Sequence, residues 1–595
     1  MNNDQYISTA DIGRMLGITR QAIQKTLNGK EGVNIKQVGT GFLYEILSLP
    51  KDIRDRIEKA RIDAIQDMKE LKPTKNGKDI GFERGLWAAA DRLRGNIDSS
   101  EYKHVVLGLL FLKYVSDSFY HRREELEKRT SDPKDREFYV SNEKNRSSIV
   151  ENKDYYQSVE VFYIPEKARW EYLRKFTLHA NLGEKIDEAM SAIERTNTRQ
   201  LKDTLFKRYS TLSLGENVLG ELVNIFSRIK FDHDLEKEKD MLGRIYEYFL
   251  GQFASAEGKR GGEFFTPRPI VQLLVEVLKP YENARIFDPA CGSGGMFVHS
   301  INYLRERHKD SSHIPIYGQE SNITTYRLCK MNLAIRGIFG SIENGNSYYD
   351  DKFPDLRADF VIANPPFNAE WDPKKLSDKD PRTKYGVAPS GNANFMWIEH
   401  FIHHLAPNGM AGFVMANGAL AVGGKEGEIR KKLIEADLVD VIIACPPKLF
   451  YNVALPVSLW FISKNKKGDR FRNRTGETLF IDARELFQPI SRKQVTFSEE
   501  HVKKMVDTVS AWRGEKGTGK YKDIDGFCKS ADLKEITKNG YVLTPGRYVG
   551  VAEEIDDGIP FEEKMAKLSK ELNESFTKGR GLEKVIQENL NKLGF

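Results

Sequence analysis

The chain of 595 residues holds only four cysteines, Cys291, Cys329, Cys445 and Cys528. None stands in a CxxC pair, and no histidine spacing completes a zinc set. A disulfide framework and a metal site are therefore not expected, and scattered thiols suit the reducing cytoplasm. Long apolar runs are scarce as well. The longest, Val105 to Val115, is interrupted by Lys113 and is too short to span a bilayer. Met1 to Asp11 lack the basic-then-apolar order of an export signal. Neither sign of charge dominates: 92 Lys and Arg against 86 Asp and Glu leave a formal +6, which permits nucleic-acid binding without demanding it. With 30% charged and 40% hydrophobic residues, the balance is that of an ordinary soluble globular protein. A chain this long exceeds one core, so about three or four domains are expected.

What is present is organised around Asp288-Pro289-Ala290-Cys291-Gly292-Ser293-Gly294-Gly295. Ala284 to Phe287 reads as a short buried strand, and Met296 to Leu304 as a helix with one apolar face. A strand that ends in an acid, turns through glycines and enters a helix suits a polar cofactor. The glycines admit close backbone approach, and the helix N-terminus offers free N–H groups. The strict dinucleotide fingerprint is absent, because Phe297 takes the place of its third glycine. A second buried strand, Asp359 to Ala363, runs into Asn364-Pro365-Pro366-Phe367, 76 residues after Asp288.

Together these stretches resemble motifs I and IV of the DNA adenine-N6 methyltransferases, most closely the M (modification) subunit of type I restriction–modification systems. The resemblance covers residues from about 80 onward and is most specific over 261–463. It implies a multidomain α/β protein. Its Rossmann-like S-adenosylmethionine methyltransferase fold, a seven-stranded sheet with one antiparallel strand, would follow a helical domain and a winged helix-turn-helix. It also implies a site-specific, adenine-specific DNA methyltransferase that uses S-adenosyl-L-methionine. The implied partners are double-stranded DNA, a specificity (S) subunit that chooses the sequence, a second M subunit and a restriction (R) subunit.

The resemblance assigns residues as follows. Asn364, Pro365, Pro366 and Phe367 form the catalytic loop. The exocyclic amine of adenine is a poor nucleophile because its lone pair is delocalised into the ring. Accepting hydrogen bonds from its N–H groups localises that pair, which a carboxamide oxygen of Asn364 and the Pro365 carbonyl can do. The two prolines stiffen the loop, and Phe367 offers a face for a flipped base. Glu263, Phe264, Phe265, Thr266, Pro267 and Arg268 match the positions that hold the methionine end of the cofactor, at the start of a helix from Ile270 to Leu278. Asp288, Gly292, Ser293, Gly294 and Gly295 supply the glycine turn. Glu320, after the apolar run from Ile314, is expected on the ribose hydroxyls. Asn346 stands where the family usually has an acid for the adenine ring, and its carbonyl can still meet the ring's amine.

Four domains are expected: a winged helix-turn-helix over 1–72, a helical domain over 80–241, the methyltransferase domain over 242–470, and a C-terminal region over 471–595 with helices for subunit contact. In the first, Ser8 to Leu27 reads as two short helices around Gly17, and Phe42 to Ile46 as a wing strand, a pattern that resembles the Mu-type module of phage transposases and repressors. Arg20, Gln21, Gln24 and Lys25 would face DNA, although a small bundle packing on protein is the other reading of this stretch. Residues 72–78 read as a linker and 120–160 as a charged surface excursion. Strands are expected over Gly409–Ala416, Leu438–Cys445 and Pro456–Ser463, the last two as an antiparallel hairpin around a loop that carries Phe450, Tyr451 and Asn452. Beyond 464 the chain reads as charged and loop-rich, up to an amphipathic stretch from Phe561 to Leu593 that wants a partner helix. Two alternatives stay open. Protein-glutamine methyltransferases also use NPP-aromatic loops, and a DNA-binding regulator can retain a degenerate methyltransferase fold.

Overall fold

The structure is a computed structural model. It describes residues 81–94, 97, 99–212, 218–229, 235–257, 266–307, 314–377, 379–450, 456–468, 470–491 and 494–551, three short strands within 6–45, and isolated positions between 25 and 53 and between 565 and 583. Near the N-terminus, β1 (Tyr6–Ser8), β2 (Ile35–Val38) and β3 (Gly41–Glu45) form an antiparallel sheet in the order β1-β3-β2. Strand β3 falls on the stretch Phe42 to Ile46 expected to be extended. Arg20, Gln21 and Gln24 lie outside the described residues, whereas Lys25 is helical and exposed.

A helical region follows: α1 (Gly81–Leu93), the 33-residue α2 (Ser99–Ser131), α3 (Leu182–Thr196) and α4 (Val218–Phe226), with α5 (Leu235–Glu257) crossing back onto α1 and α2. Val105 to Phe119 of α2 is apolar almost all round because it is buried all round, wrapped by these helices and by Trp170. The stretch 120–160 is largely exposed, as its charge leads one to expect, but it is anchored to the core at a few points. Helix α2 runs on to Ser131, and Leu126, Val150 and Tyr156 enter the same core.

The second layer system is one nine-stranded sheet. Its strands are β4 (Ile286–Asp288), β5 (Ile316–Glu320), β6 (Ser341–Asn344), β7 (Ala358–Ala363), β8 (Leu405–Ala416), β9 (Val439–Ala444), β10 (Val457–Ser463), β11 (Glu477–Asp482) and β12 (Cys528–Asp532). They lie in the order β12-β11-β9-β10-β8-β7-β4-β5-β6. The seven from β6 to β9 are the expected set. All are parallel except β10, which runs antiparallel to both β8 and β9. Helices α6 (Arg268–Leu278) and α7 (Gly295–Arg307) cover one face, while α9 (Asn394–His404) and α10 (Gly424–Glu435) cover the other. Between β5 and β6 lies α8 (Ile323–Ile335). Its Cys329 and Leu333 pack toward the sheet, and its Leu328, Met331 and Ile335 pack into the helical core.

The chain beyond 464 departs from the expectation of loops. Strand β11 adds parallel to β9, and β12 adds antiparallel to β11. Helix α11 (Glu499–Trp512), opened by a capping box on Ser498, packs beside α6. The charges that made this segment look like surface are partly inside. Asp440 on β9 accepts from Arg474 Nε at 3.0 Å and from Arg513 Nη2 at 2.8 Å, and all three side chains are buried. Burial opposes the charge on Asp440, but the two guanidiniums hold its carboxyl below the usual range. Truncating one member of such a cluster strands the others without water. Asp440→Ala is therefore expected to destabilise the full chain by about 3–5 kcal/mol in urea unfolding, and an unchanged midpoint would leave the triad without a structural role.

Candidate active site

Strands β4 and β7 are parallel neighbours in register Ile286 to Phe360 and Phe287 to Val361. This pairing brings the chain after Asp288 beside the chain after Ala363 at the carboxyl edge of the sheet, where open α/β sheets bind ligands. Gly292 (φ 54°) and Gly294 (φ 81°) turn the first of these into α7. A side chain at Gly294 would meet the Cys329 sulfur at 2.9 Å, so glycine is required there for backbone and for space. Phe297, at the place of the missing third glycine, is fully buried. A Cβ on Gly318 of β5 would lie 2.9 Å from the Phe297 ring, so the close helix–strand approach rests on a strand glycine instead of a helix one.

A cleft of about 600 Å³, counted to its open mouth, runs between these loops. Asp288, Gly292, Ser293, Gly295, Thr266 and Asn364 line it together. Thr266 sits just before α6, whose first turn is set by Pro267 and Pro269. Its hydroxyl oxygen accepts a hydrogen bond of 2.8 Å from Asn364 Nδ2, which joins two segments 98 residues apart. The other carboxamide atom, Asn364 Oδ1, is buried and has no hydrogen-bond partner among the described residues. A buried acceptor without a donor is costly unless something else fills it. Above Gly292 and Gly295 there is open space where any side chain would project. The unfilled acceptor and the open glycine cradle fit a nucleoside cofactor with its substrate beside it.

Glu320, at the end of β5, accepts from Gly292 N at 3.1 Å and from Asn322 N at 2.8 Å, so its carboxylate stands on the glycine turn. Asn346 is exposed, its Oδ1 accepts from Tyr348 N at 2.9 Å, and it does not line the cleft. Pro365 is buried, while Phe367 is half-buried with its ring edge-on to the buried Phe450, centroids 6.5 Å apart. Asn394 accepts from Asn368 N and donates to Asn368 Oδ1, both at 2.9 Å, which fixes the chain just past Phe367. Arg268 is exposed. Glu263, Phe264, Phe265, Tyr451 and Asn452 lie outside the described residues.

The sequence reading missed three contributors to the cleft wall, Glu247 on α5, His299 on α7 and Arg336 after α8. None stands in a motif, and only the packing of α5 and α8 against the turn exposes their role. Asn332 of α8 donates to the Ser293 carbonyl at 2.7 Å, and Arg336 holds both Asn332 and the Gly243 carbonyl of α5. Away from the cleft, Asp351, His400 and His404 group within 4.8 Å, a potential ligand set. There His404 already faces Asp351 at 3.0 Å and Leu356 O at 3.2 Å, and Arg382 lies 3.3 Å from His400. A guanidinium supplies the positive charge in that cluster.

Burial, with a smaller contribution from Glu320, pushes the Asp288 carboxyl up to about 8, against the hydrogen bond from Ala290 N. The folded protein therefore keeps a proton that the unfolded chain releases near 3.8. With the folded state binding more protons across this window, stability falls as pH rises from about 4 to about 8. Asp288→Asn removes this loss. Its thermal midpoint should gain on that of the wild type as pH is raised from about 5 to about 8, and parallel midpoints would show that Asp288 does not titrate there.

Comparison with known proteins agrees with this geometry. Residues 237–557 match the family model described as N-6 DNA Methylase, and residues 82–226 match the HsdM N-terminal domain. The type I restriction enzyme MjaIX methylase subunit of Methanocaldococcus jannaschii is 49% identical over 86% of this chain and 92% of its own. The HindI methylase subunit of Haemophilus influenzae is 43% identical over 73% of this chain and 100% of its own. Among solved structures, the type I restriction-modification system methyltransferase subunit from Streptococcus thermophilus superposes with a TM-score of 0.66 at 25% identity, covering 79% of this chain and 99% of that one. The chain belongs to the N-6 DNA methylase family and is an adenine-methylating M subunit of the type I restriction–modification kind, with S-adenosylmethionine as its methyl donor.

Proposed function

We propose that Asn364 and Pro365 activate the target amine, and that Asn364 Oδ1 is the acceptor that receives one of its N–H groups. The observation that carries this reading is the Asn364 carboxamide itself. Its nitrogen is engaged by Thr266, and its oxygen is buried and unpartnered among the described residues. In this orientation the amide nitrogen donates to Thr266 Oγ1, which leaves the carbonyl aimed at an incoming donor. As hydrogen bonds form to Asn364 Oδ1 and the Pro365 carbonyl, the amine's lone pair localises and the charge that develops on nitrogen is stabilised. Pro366 restricts the loop, and Phe367, steadied edge-on by Phe450, offers the face against which an extruded base stacks. When bound, S-adenosylmethionine supplies the electrophilic methyl group. Glu320 would accept from its ribose hydroxyls, the turn from Asp288 to Gly295 would carry its nucleoside, and Glu263 to Arg268 match the positions that hold its methionine end. Asn346 would meet the adenine ring only through a movement of its exposed turn.

The same reading extends to partners and organisation. The protein would work in the cytoplasm on double-stranded DNA, with a second M subunit, a specificity subunit that chooses the sequence, and a restriction subunit where cleavage is coupled. Residues 1–72 would form the winged helix-turn-helix, 80–241 the helical domain, 242–470 the methyltransferase domain and 471–595 the region of subunit contact. The helical positions Met565, Leu572 and Phe576, spaced for one face and about half exposed, support a docking role for the last of these. Membership of the N-6 DNA methylase family, with the glycine turn and Asn364-Pro365-Pro366-Phe367 present, supports DNA methylation over the glutamine-methylating and regulatory alternatives. No helix among the described residues is long and apolar enough to cross a membrane.

Asn364→Ala is expected to lower methylation about 100-fold or more while changing cofactor affinity less than about threefold. Titration calorimetry together with a methyl-transfer assay tests this, and a parallel loss of cofactor binding would refute the division of roles. In cells, deletion of the gene should erase N6-methyladenine at a single split motif, two short halves around an unspecified spacer, when genomic DNA is sequenced for modified bases. An unchanged adenine map in cells that express the protein would refute the sequence-choosing partnership.

A further inference from the structure

We propose that Glu247 is the ligand for the α-ammonium group at the amino-acid end of S-adenosylmethionine. The inference rests on the reading of the cleft as the cofactor site and adds a residue outside every sequence motif. Glu247 lies on α5, 41 positions before Asp288, yet it lines the same cleft as Asp288, Gly292, Thr266 and Asn364. Opposite it stands His299, one turn into the helix that the glycine turn feeds, with Nε2 at 3.5 Å from Glu247 Oε1. Arg336 forms another part of the same wall.

The amino-acid end of the cofactor carries one cation and one anion on the same carbon. The cleft offers a matching pair of environments. The anion can be met by Thr266, by the open N–H groups at the start of α7 and by the basic side chains. A carboxylate is the strongest match for the cation, and among the described residues two line the cleft. Asp288 is the wrong one, because burial keeps it protonated up to about 8. Glu247 stays charged: burial opposes ionisation, but the hydrogen bond and charge of His299, followed by the fields of Arg336 and Arg268, hold it below the usual carboxylate range. With His299 on Oε1, the second oxygen has the lone pairs to accept from an ammonium.

The position of Glu247 is rigid. Its neighbours Ile245, Tyr246 and Phe249 are fully buried in the helical core, and Gly243, one turn earlier, has its carbonyl clamped by Arg336 Nη2 at 2.6 Å. The helical region thus delivers a side chain into the cofactor cleft, and the packing of that region on the sheet sets where the carboxylate stands.

The test compares two nucleosides that share the adenosine and thioether but differ in the amino acid: S-adenosylhomocysteine, which has the ammonium, and 5′-methylthioadenosine, which has no amino-acid end. Calorimetric affinities are measured on the full chain, wild type, Glu247→Gln and Glu247→Asp. Glu247→Gln should weaken S-adenosylhomocysteine about tenfold or more while changing methylthioadenosine less than about twofold, and Glu247→Asp should recover part of the loss. Methylthioadenosine binding also reports that the variant cleft is folded. Equal weakening of both nucleosides would make Glu247 a packing residue and overturn the assignment, as would undiminished binding of both. Wild-type protein that binds neither nucleoside would overturn the reading of the cleft itself.

Discussion

The parallel pairing of β4 with β7 is the constraint on which the site depends. These strands are separated by 69 residues of intervening chain between Asp288 and Ala358, and only their adjacency in the sheet sets Asp288 and Asn364 on the same edge. In a parallel sheet both strands point the same way, so the loops that leave them emerge together. One loop turns through glycines into α7, whose unpaired N–H groups favour a polar ligand. The other is stiffened by Pro365 and Pro366 and tied back to Thr266 through the Asn364 amide. Breaking the register of this pair would separate donor and acceptor sites even if every local element survived.

A second level of organisation comes from one helix shared between the layers. Helix α8 puts Cys329 and Leu333 toward the sheet and Leu328, Met331 and Ile335 into the helical core, so it serves two cores at once. Through Asn332 it also holds the Ser293 carbonyl, and through Arg336 it reaches the Gly243 carbonyl of α5. A hydrogen-bonded path therefore runs from the helical region to the glycine turn in a few steps. The helical region is part of the site's support and not a passive neighbour, which gives a physical sense to its fusion with the catalytic sheet.

The segment beyond residue 464 shows where composition misleads. Charge was read as exposure beyond residue 464, yet Arg474 and Arg513 are buried on Asp440 and help to hold β11, β12 and α11 against the sheet. A buried guanidinium and an exposed one look alike in sequence. The short strand Glu477–Asp482 has a fully buried middle, Thr478 to Phe480 and Ile481, but its run is too brief to stand out from loop. The same limit applies to the anchor points within 120–160, where Leu126, Val150 and Tyr156 are single apolar residues in a charged setting that tertiary contacts draw inward.

The sequence by itself determined the glycine turn, the NPPF loop, the seven strands that carry them and the antiparallel final pair. These features depend on local chemistry, meaning left-handed backbone at Gly292 and Gly294, restricted loops at proline and continuous apolar runs in strands buried on both faces. Tertiary structure alone decided that the missing helix glycine is replaced by Gly318 on a strand, that Asn364 spends its nitrogen on Thr266 and keeps its oxygen for a ligand, and that Glu247, His299 and Arg336 enclose the cleft. Each of these depends on which surfaces meet across long stretches of chain, and burial and pairing between distant side chains leave no periodic mark in the order of residues.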